Sequence, residues 1–195
     1  MRYILASKSP RRREILQNIG LEFTVFVADA DEASDITDPI ALVEELSLRK
    51  GRAAADALSE KGELSSGDII IASDTVVACG SEILGKPRDR ADARRMLKLL
   101  SGNKHRVVSG VALLRDGQTF VSHSETFVYF DKLDDDAIDR YLDTQEPYDK
   151  AGAYGIQGLA SVWVRRIEGG YFGVVGLPVN VLDKLHRECT GASLL

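Results

Sequence analysis

The chain has 195 residues, a formal net charge of −5 and an apolar fraction of 44%, which suits a globular protein with a buried core. The negative net charge argues against broad nucleic-acid binding, because that function requires a basic face. No run of about 18 apolar residues occurs, and the N-terminus becomes polar by Ser7, so we expect neither a transmembrane helix nor a secretory signal.

The first predicted strand, Tyr3–Leu5, leads into a polar loop and then a helix that ends at Gly20. Ser9 is the predicted N-cap and Pro10 the first helical residue. Arg11–Arg13 therefore fall in the first helical turn, where the helix already carries partial positive charge. Serine hydroxyls, backbone N–H groups and guanidinium groups at this end predict a phosphate-binding cradle. Solvated surface arginines are the alternative interpretation.

Strands and helices alternate along the rest of the chain, which predicts an α/β protein with a mixed sheet. The further predicted strands are Phe23–Val27, Ile69–Ala72, Val107–Leu114, Thr126–Phe130, Ser161–Ile167 and Tyr171–Val175. The predicted helices are Ala41–Leu58 after Asp38-Pro39, Ala91–Leu100 after Asp89, one from Asp134 or Asp135 through Leu142, and one from Leu177-Pro178 through Leu185. Thr190–Leu195 is predicted to be a frayed tail.

The polar triplet Ser73-Asp74-Thr75 lies in an otherwise aliphatic run, and we predict that it interrupts the buried strand. A buried aspartate costs free energy unless it is paired, protonated or metal-bound. A hydrogen-bonding turn aspartate is one interpretation of Asp74. A metal ligand or a general base at a strand end explains the cost better.

Two lysines and an acidic pair are further candidates for the same chemistry. Lys86 projects from the restrained segment Gly85-Lys86-Pro87, and an ordinary surface lysine is the alternative there. Lys50 precedes Gly51, a poor helix former, which indicates close packing beside Lys50. Asp31-Glu32 follows the second predicted strand and offers two more carboxylates.

The segment 151–158 contains three glycines and two alanines, which allow close backbone approach. Gln157 in this segment carries a donor and an acceptor in one amide, which suits recognition of a nucleobase edge. A loop packed against a strand, with Gln157 exposed, is the alternative. His105 could be a ligand, but one histidine without partner ligands in its motif is more often structural, so a structural role is favoured. Cations, carboxylates and this loop together predict a nucleotide phosphohydrolase.

The chain resembles the Maf family of nucleoside triphosphate pyrophosphatases in ordered motifs over nearly its full length. These are Leu5-Ala6-Ser7-x-Ser9-Pro10-Arg11-Arg12, Asp31-Glu32, Lys50, Ser73-Asp74-Thr75-Val76-Val77, Gly85-Lys86-Pro87, Ser101-Gly102 with His105, Glu146 to Gly158, and Gly176-Leu177-Pro178. The resemblance implies one domain over residues 1–195. It implies an elongated mixed β-sheet flanked by helices in two lobes with a central cleft, similar to the inosine triphosphate pyrophosphatase fold.

The resemblance also implies a reaction, a cofactor and a set of site residues. The reaction is hydrolysis of dTTP and UTP to the monophosphate and pyrophosphate. Asp74 is the implied general base, and Glu32 and Asp74 are the implied ligands of a divalent cation, Mg²⁺ or Mn²⁺. A homodimer is implied as well. The implied substrate-binding residues are Ser7, Arg11, Arg12, Lys50, Thr75, Lys86 and Gln157, of which Arg11, Thr75 and Gln157 are the specificity positions.

Two other functions fit the same residues. One is a house-cleaning pyrophosphatase that acts on modified pyrimidine nucleotides, and the other is a nucleotide-binding regulator of cell division. Metal-dependent release of pyrophosphate separates the enzymes from a regulator that only binds. Cys79 and Cys189 are far apart and lack metal-site spacing, which fits a reducing cytoplasm.

Overall fold

A computed structural model describes residues 1–194. The strands are β1 (Tyr3–Leu5), β2 (Phe23–Val25), β3 (Ile69–Cys79), β4 (Glu82–Leu84), β5 (Lys104–Arg115), β6 (Gln118–Phe130) and β7 (Val164–Glu168). The helices are α1 (Pro10–Asn18), α2 (Pro39–Glu60), α3 (Arg90–Leu100), α4 (Asp135–Leu142), α5 (Tyr171–Val175) and α6 (Val179–Thr190). Short 3₁₀ turns cover Glu146–Asp149, Ala151–Ala153 and Leu159–Trp163.

The seven strands form one mixed sheet in the order β2-β1-β3-β5-β6-β7, with β4 paired to β3. β1 runs parallel to both β2 and β3, whereas β4 is antiparallel to β3 and β7 is antiparallel to β6. The predicted mixed α/β architecture is therefore confirmed. Within residues 1–194, no helix combines the length and the apolar character that crossing a membrane requires.

The chain divides into two compact units. The first comprises Met1–Asp74, Ser109–Ser124 and the described residues from Gly176 onward, and the second comprises Thr75–Val108 and Glu125–Val175. The single domain over residues 1–195 stays a prediction, and its last residue, Leu195, lies outside the described residues.

The first unit has a core in which α2 packs on the strands of the sheet. Its buried members are Ile4, Ala6, Ala54, Leu58, Ile70, Ala72, Ala112 and Leu114. Two glycines bring the helix and the strands together. A Cβ at Gly110 of β5 would lie 2.3 Å from the Val43 carbonyl oxygen, and a Cβ at Gly51 would lie 2.3 Å from Leu114 Cδ1. The predicted close packing beside Lys50 is confirmed.

The second unit has its own core, in which α3 and α4 cover aliphatic and aromatic side chains. The fully buried ring of Phe130 contacts His105 and Tyr154 edge to face, with centroids 4.9 Å and 4.7 Å away. Such T-shaped contacts are favourable because a ring's positive edge meets its neighbour's negative face. Tyr154 belongs to the glycine-rich segment 151–158, so this core anchors that segment.

The predicted helix starts are confirmed at three aspartates. The carboxylates of Asp38, Asp89 and Asp134 each accept a hydrogen bond from the backbone N–H three residues further on, at 2.7–2.8 Å. Each bond satisfies one of the backbone donors that a helix N-terminus leaves without an intrahelical partner.

Several predicted elements were wrong. β3 is not interrupted at residues 73–75 but continues to Cys79. The predicted strand Ser161–Ile167 begins only at Val164, because Leu159–Trp163 forms a 3₁₀ turn. Tyr171–Val175 is helical despite its strand-like residues, since the Gly173 N–H bonds the Gly170 carbonyl and starts a turn.

The described part of the predicted frayed tail is also ordered. Thr190 is the last residue of α6, and the Asp183 carboxylate accepts hydrogen bonds from the Ser193 hydroxyl and the Leu194 N–H at 2.7 Å and 2.8 Å. These bonds lower the pKa of Asp183 below its usual range. Leu195 lies outside the described residues.

The close approach at Gly110 makes a testable prediction. We expect Gly110→Ala to lower the free energy of unfolding by about 2 kcal/mol or more, because the new methyl group meets rigid backbone at Val43. Urea denaturation measures the change. Gly85→Ala is the matched control, since a Cβ there has no atom of the described residues within 4 Å. Equal effects of the two substitutions would contradict the packing described for α2.

Candidate active site

The predicted site residues of the first unit lie around the ends of parallel strands. β1 ends at Leu5, and the N–H of Ala6 donates to the Ile71 carbonyl at 2.8 Å. β3 continues beyond Ile71, so Ser73 and Asp74 lie beside the loop that joins β1 to α1. The carboxyl ends of parallel strands are where open α/β proteins collect their ligands.

Arg12 connects three segments of the first unit. Its Nε donates to the Gly176 carbonyl at 2.8 Å, and one Nη donates to the Ser73 carbonyl at 2.7 Å and to Ser7 Oγ at 3.2 Å. The buried Ser73 hydroxyl donates to the same Gly176 carbonyl at 2.9 Å. Sequence reasoning gave Ser73 and Gly176 no role of their own. The sequence signal that could have identified them is their membership of the motifs Ser73-Asp74-Thr75 and Gly176-Leu177-Pro178.

The Ser7 hydroxyl is buried and accepts two hydrogen bonds, from the Ser9 N–H and from Arg12, both at 3.2 Å. A hydroxyl has two acceptor lone pairs and one proton. The proton is therefore the group that Ser7 can still offer to a ligand. Ser9 occupies the predicted N-cap position of α1, but its side chain makes no capping hydrogen bond to any described residue.

Charge is concentrated around Arg12. Burial lowers the pKa of the Arg12 guanidinium, and the neighbouring Arg11 lowers it further, whereas Asp74 and Glu32 act in the opposite direction. The predicted cation pair and the predicted carboxylate pair are thus close enough to influence each other. Arg13 is exposed, so the alternative interpretation as a solvated surface arginine fits this residue.

Lys50 joins the two predicted metal ligands. Its Nζ lies 2.5 Å from Asp74 Oδ1 and 3.1 Å from Glu32 Oε1. The Asp74 side chain is 11% exposed and that of Glu32 is 63% exposed. Asp74 is therefore held in β3 with its charge compensated, while Glu32 reaches in from the loop after β2.

The two carboxylates beside Lys50 are the candidate oxygen donors for a divalent cation. Within residues 1–194, no three His, Cys, Asp or Glu side chains form a metal-binding group. The two carboxylates that share the Lys50 ammonium nevertheless face a common point. Mg²⁺ keeps several waters and is usually bound through one or two carboxylates plus substrate phosphates. Asp74 and Glu32 fit that pattern, and they do not fit a cage made of protein ligands alone.

Three predicted site residues belong to the second unit. Lys86 and Gln157 are exposed, and Thr75 is half-buried in β3. Within this unit the Gly152 N–H donates to the Gly85 carbonyl at 3.0 Å, and a Cβ at Gly152 would lie 3.0–3.1 Å from the Val77 side chain. The glycine-rich segment therefore packs against both the Lys86 loop and β3.

His105 is a structural residue, as the sequence favoured. It is buried, its Nε2 lies 2.8 Å from the Tyr154 hydroxyl, and its Nδ1 has no hydrogen-bond partner among the described residues. Burial lowers the pKa of His105 from 6.5 to about 4. The neutral imidazole is therefore the form that the core accepts.

The fold and the first-unit cluster define a class of protein. It is an α/β protein that places hydroxyl, guanidinium, ammonium and carboxylate groups at the end of parallel strands. A family model described as Maf, Maf-like protein, matches residues 2–189. The chain belongs to the Maf family.

Curated relatives match over most of their length. A protein of Caldanaerobacter subterraneus subsp. tengcongensis, named dTTP/UTP pyrophosphatase, is 44% identical over 96% of this chain and 89% of that protein. A protein of Symbiobacterium thermophilum with the same name is 47% identical over 91% of this chain and 88% of that protein. A crystal structure of a nucleoside-triphosphatase / dITP/XTP pyrophosphatase from Mycobacterium abscessus is 19% identical over 67% of this chain and 73% of that chain. Its TM-score is 0.35, which supports no inference.

The depressed pKa of His105 predicts a specific dependence of stability on pH. The unfolded chain binds a proton at His105 below pH 6.5, whereas the folded chain resists protonation down to about pH 4. The stability that the neutral His105 contributes is fully present above its pKa of 6.5 in the unfolded chain. It is lost as the pH falls toward its pKa of about 4 in the folded chain. From pH 7 to about pH 5, the wild type should lose about 2 kcal/mol more unfolding free energy than His105→Gln.

Urea denaturation of both proteins at the two pH values measures this difference. The variant is the control for every other group that titrates in the same range, since those groups are common to both proteins. Parallel losses in the two proteins would show that His105 does not resist protonation.

Proposed function

We propose that this chain is a nucleoside triphosphate pyrophosphatase that converts dTTP and UTP to the monophosphate and pyrophosphate. The relatives named dTTP/UTP pyrophosphatase support the substrate, since this chain spans 89% of the first and 88% of the second. The observation that carries the chemistry is the position of the Lys50 ammonium between Asp74 and Glu32. This arrangement supports the proposal, because the carboxylate proposed as the base lies beside an ammonium group that can neutralise phosphate charge.

Asp74 is the proposed general base. Its carboxylate orients a water molecule and takes its proton as the water oxygen attacks the α-phosphorus. The bond from the α-phosphorus to the bridging oxygen then breaks, and pyrophosphate leaves with that oxygen. Phosphoryl transfer requires little covalent chemistry from the protein, so positioning and charge stabilisation supply most of the rate.

The cationic residues divide into two kinds. Arg11, Lys50 and Lys86 are proposed to bind the triphosphate directly, where they would offset the negative charge that moves onto the leaving pyrophosphate. Arg12 already donates to three oxygen atoms of the first unit. We therefore give Arg12 a double role, in which it adds positive charge and holds the Ser7 hydroxyl toward the phosphates.

Recognition of the nucleobase is assigned to the specificity positions Arg11, Thr75 and Gln157. A uracil or thymine edge presents a carbonyl acceptor beside an N–H donor. The Gln157 amide carries the complementary donor and acceptor in one plane. Its exposed position leaves that amide accessible to a ligand.

A divalent cation, Mg²⁺ or Mn²⁺, completes the proposal, with Asp74 and Glu32 as its protein ligands. When bound, it would supply positive charge to the phosphate oxygens. Assembly as a homodimer and a cytoplasmic location stay predictions.

The proposal is tested by measuring pyrophosphate release from UTP, dTTP, 7-methyl-GTP and modified pyrimidine triphosphates, with and without Mg²⁺ or Mn²⁺. UTP and dTTP should give the highest kcat/KM. Preference for 7-methyl-GTP would refute the pyrimidine assignment, and preference for a modified pyrimidine would favour the house-cleaning function. Binding without pyrophosphate release would favour the nucleotide-binding regulator.

Within the same experiment, Asp74→Asn should lower kcat for UTP by about 10²–10⁴-fold, which is the usual contribution of a general base. Glu45→Gln is the matched control, because Glu45 is a carboxylate of α2 that pairs with Arg49 instead of Lys50. Wild-type turnover by purified Asp74→Asn would remove Asp74 from the mechanism.

The metal assignment makes a prediction that needs no turnover. Glu32→Gln should weaken Mn²⁺ binding to the nucleotide-free protein by about tenfold, because affinity for hard cations follows the number of charged oxygen ligands. Titration calorimetry measures the affinity. Asp31→Asn is the control, since the Asp31 carboxylate accepts the Ala33 N–H in a local turn. Equal Mn²⁺ affinity in wild type and Glu32→Gln would exclude Glu32 as a ligand.

A further inference from the structure

Gln157 lies in a tight turn of the second unit. The Gly158 N–H donates to the Gly155 carbonyl at 3.2 Å, so residues 155–158 form a closed four-residue turn with Gln157 at its third position. Turns of this kind fix the backbone direction at their central residues. The direction in which the Gln157 side chain leaves the backbone therefore depends on what holds this turn in place.

The carboxylate of Glu146 contacts the chain on the C-terminal side of the turn. Its Oε2 accepts the Leu159 N–H at 2.9 Å, and its Oε1 accepts the Tyr141 hydroxyl at 3.0 Å and lies 3.5 Å from the Ala160 N. A Cβ built on Gly155 would lie 3.5 Å from Glu146 Oε1, so the same carboxylate also lies beside the first residue of the turn. The Glu146 carboxylate thus holds the chain directly after the turn, and the Tyr141 hydroxyl holds that carboxylate in place.

The two glycines of the turn allow this contact. A Cβ at Gly158 would lie 2.2–2.3 Å from the carboxylate atoms of Glu146. A Cβ at Gly155 would lie 2.7 Å from Lys150 Cε and 3.5 Å from Glu146 Oε1. A side chain at Gly158 would displace the hydrogen-bonded carboxylate, so the packing of Glu146 explains the glycine at this position. At Gly155 the close neighbour is the Lys150 stem.

The chemistry requires a carboxylate at this position. Leu159, Ala160 and Tyr141 all direct hydrogen-bond donors toward Glu146, and an ionised carboxylate has only acceptors. A glutamine has the same shape, but its NH₂ group would face a donor. Lys150 holds the backbone of Glu146 through a 2.6 Å hydrogen bond to the Glu146 carbonyl, so the side chain starts from a fixed point.

We propose that Glu146 is a positioning residue for pyrimidine selection, which acts by holding the turn 155–158 and thereby aiming the Gln157 amide at the base. The inference rests on the proposed function. It assigns Glu146 to specificity through Gln157 and gives it no contact with the substrate.

The test compares UTP with CTP, which differ at the base edge and share the triphosphate. Glu146→Gln keeps the side-chain shape and should reduce the UTP-to-CTP ratio of kcat/KM by about tenfold or more, since small misplacements of a positioning group cost up to about 10²-fold. The loss should fall on UTP, with CTP hydrolysis nearly unchanged. A purely structural residue would lower both values by the same factor and leave the ratio intact.

A double-mutant cycle identifies Gln157 as the intermediary. Gln157→Ala should itself reduce the UTP-to-CTP ratio, and adding Glu146→Gln should reduce it no further, because coupled residues are non-additive. Additive losses would overturn the proposal. Glu168→Gln is the matched control, since Glu168 accepts the Tyr129 hydroxyl at 2.8 Å in the same unit and is not in the turn.

A milder variant keeps the test decisive if Glu146→Gln does not fold. Tyr141→Phe retains the buried ring and removes one donor to Glu146, so it should reduce the ratio by a smaller factor at an unchanged CTP rate. An unchanged ratio in Tyr141→Phe would count against the proposal. A wild-type protein without activity on UTP would refute the proposed function. Wild-type activity together with an unchanged ratio in folded Glu146→Gln would refute this inference alone.

Discussion

The ion pair between Lys50 and Asp74 is the interaction on which the first unit's site depends. A carboxylate in a buried strand needs compensation, because charge is costly away from water. The compensation comes from the middle of α2, and it reaches Asp74 only because α2 packs very close to the sheet. That approach exists because Gly51 and Gly110 lack a side chain at the contact. The packing of one helix therefore sets the charge balance around the proposed base.

Arg12 plays a comparable part in the loop after β1. An arginine in the first turn of a helix is electrostatically unfavourable unless its charge is used. Here its guanidinium bonds the Ser73 and Gly176 carbonyls and the Ser7 hydroxyl, and so joins three segments of the first unit. Fold and proposed function share this side chain, because the same group of bonds that closes the loop also holds the buried Ser7 hydroxyl.

In the second unit, a glycine-containing turn is held by side chains packed against it. The proposed role of Gln157 requires the turn 155–158 to be held in one position. Gln157 is exposed, so packing of its own side chain cannot hold the turn. A buried tyrosine and the half-buried Glu146 hold it from α4 and the 3₁₀ turn that follows. Gly158 and Gly155 leave the space that a carboxylate and a lysine stem occupy, whereas Gly152 packs against Val77 and adopts a positive φ of 70°.

The sequence by itself determined the elements whose signals are local. Aspartate caps fixed three helix starts, and alternating strands and helices predicted the mixed sheet. Ser7, Arg12, Lys50, Asp74 and Glu32 were all identified as site candidates. Only the tertiary structure decided that β3 continues through Asp74, that Tyr171–Val175 is helical, that Arg12 bonds Gly176, and that Glu146 holds the turn of Gln157. The reason is physical, since caps and periodicity act within a few residues, whereas these features depend on partners brought near by folding.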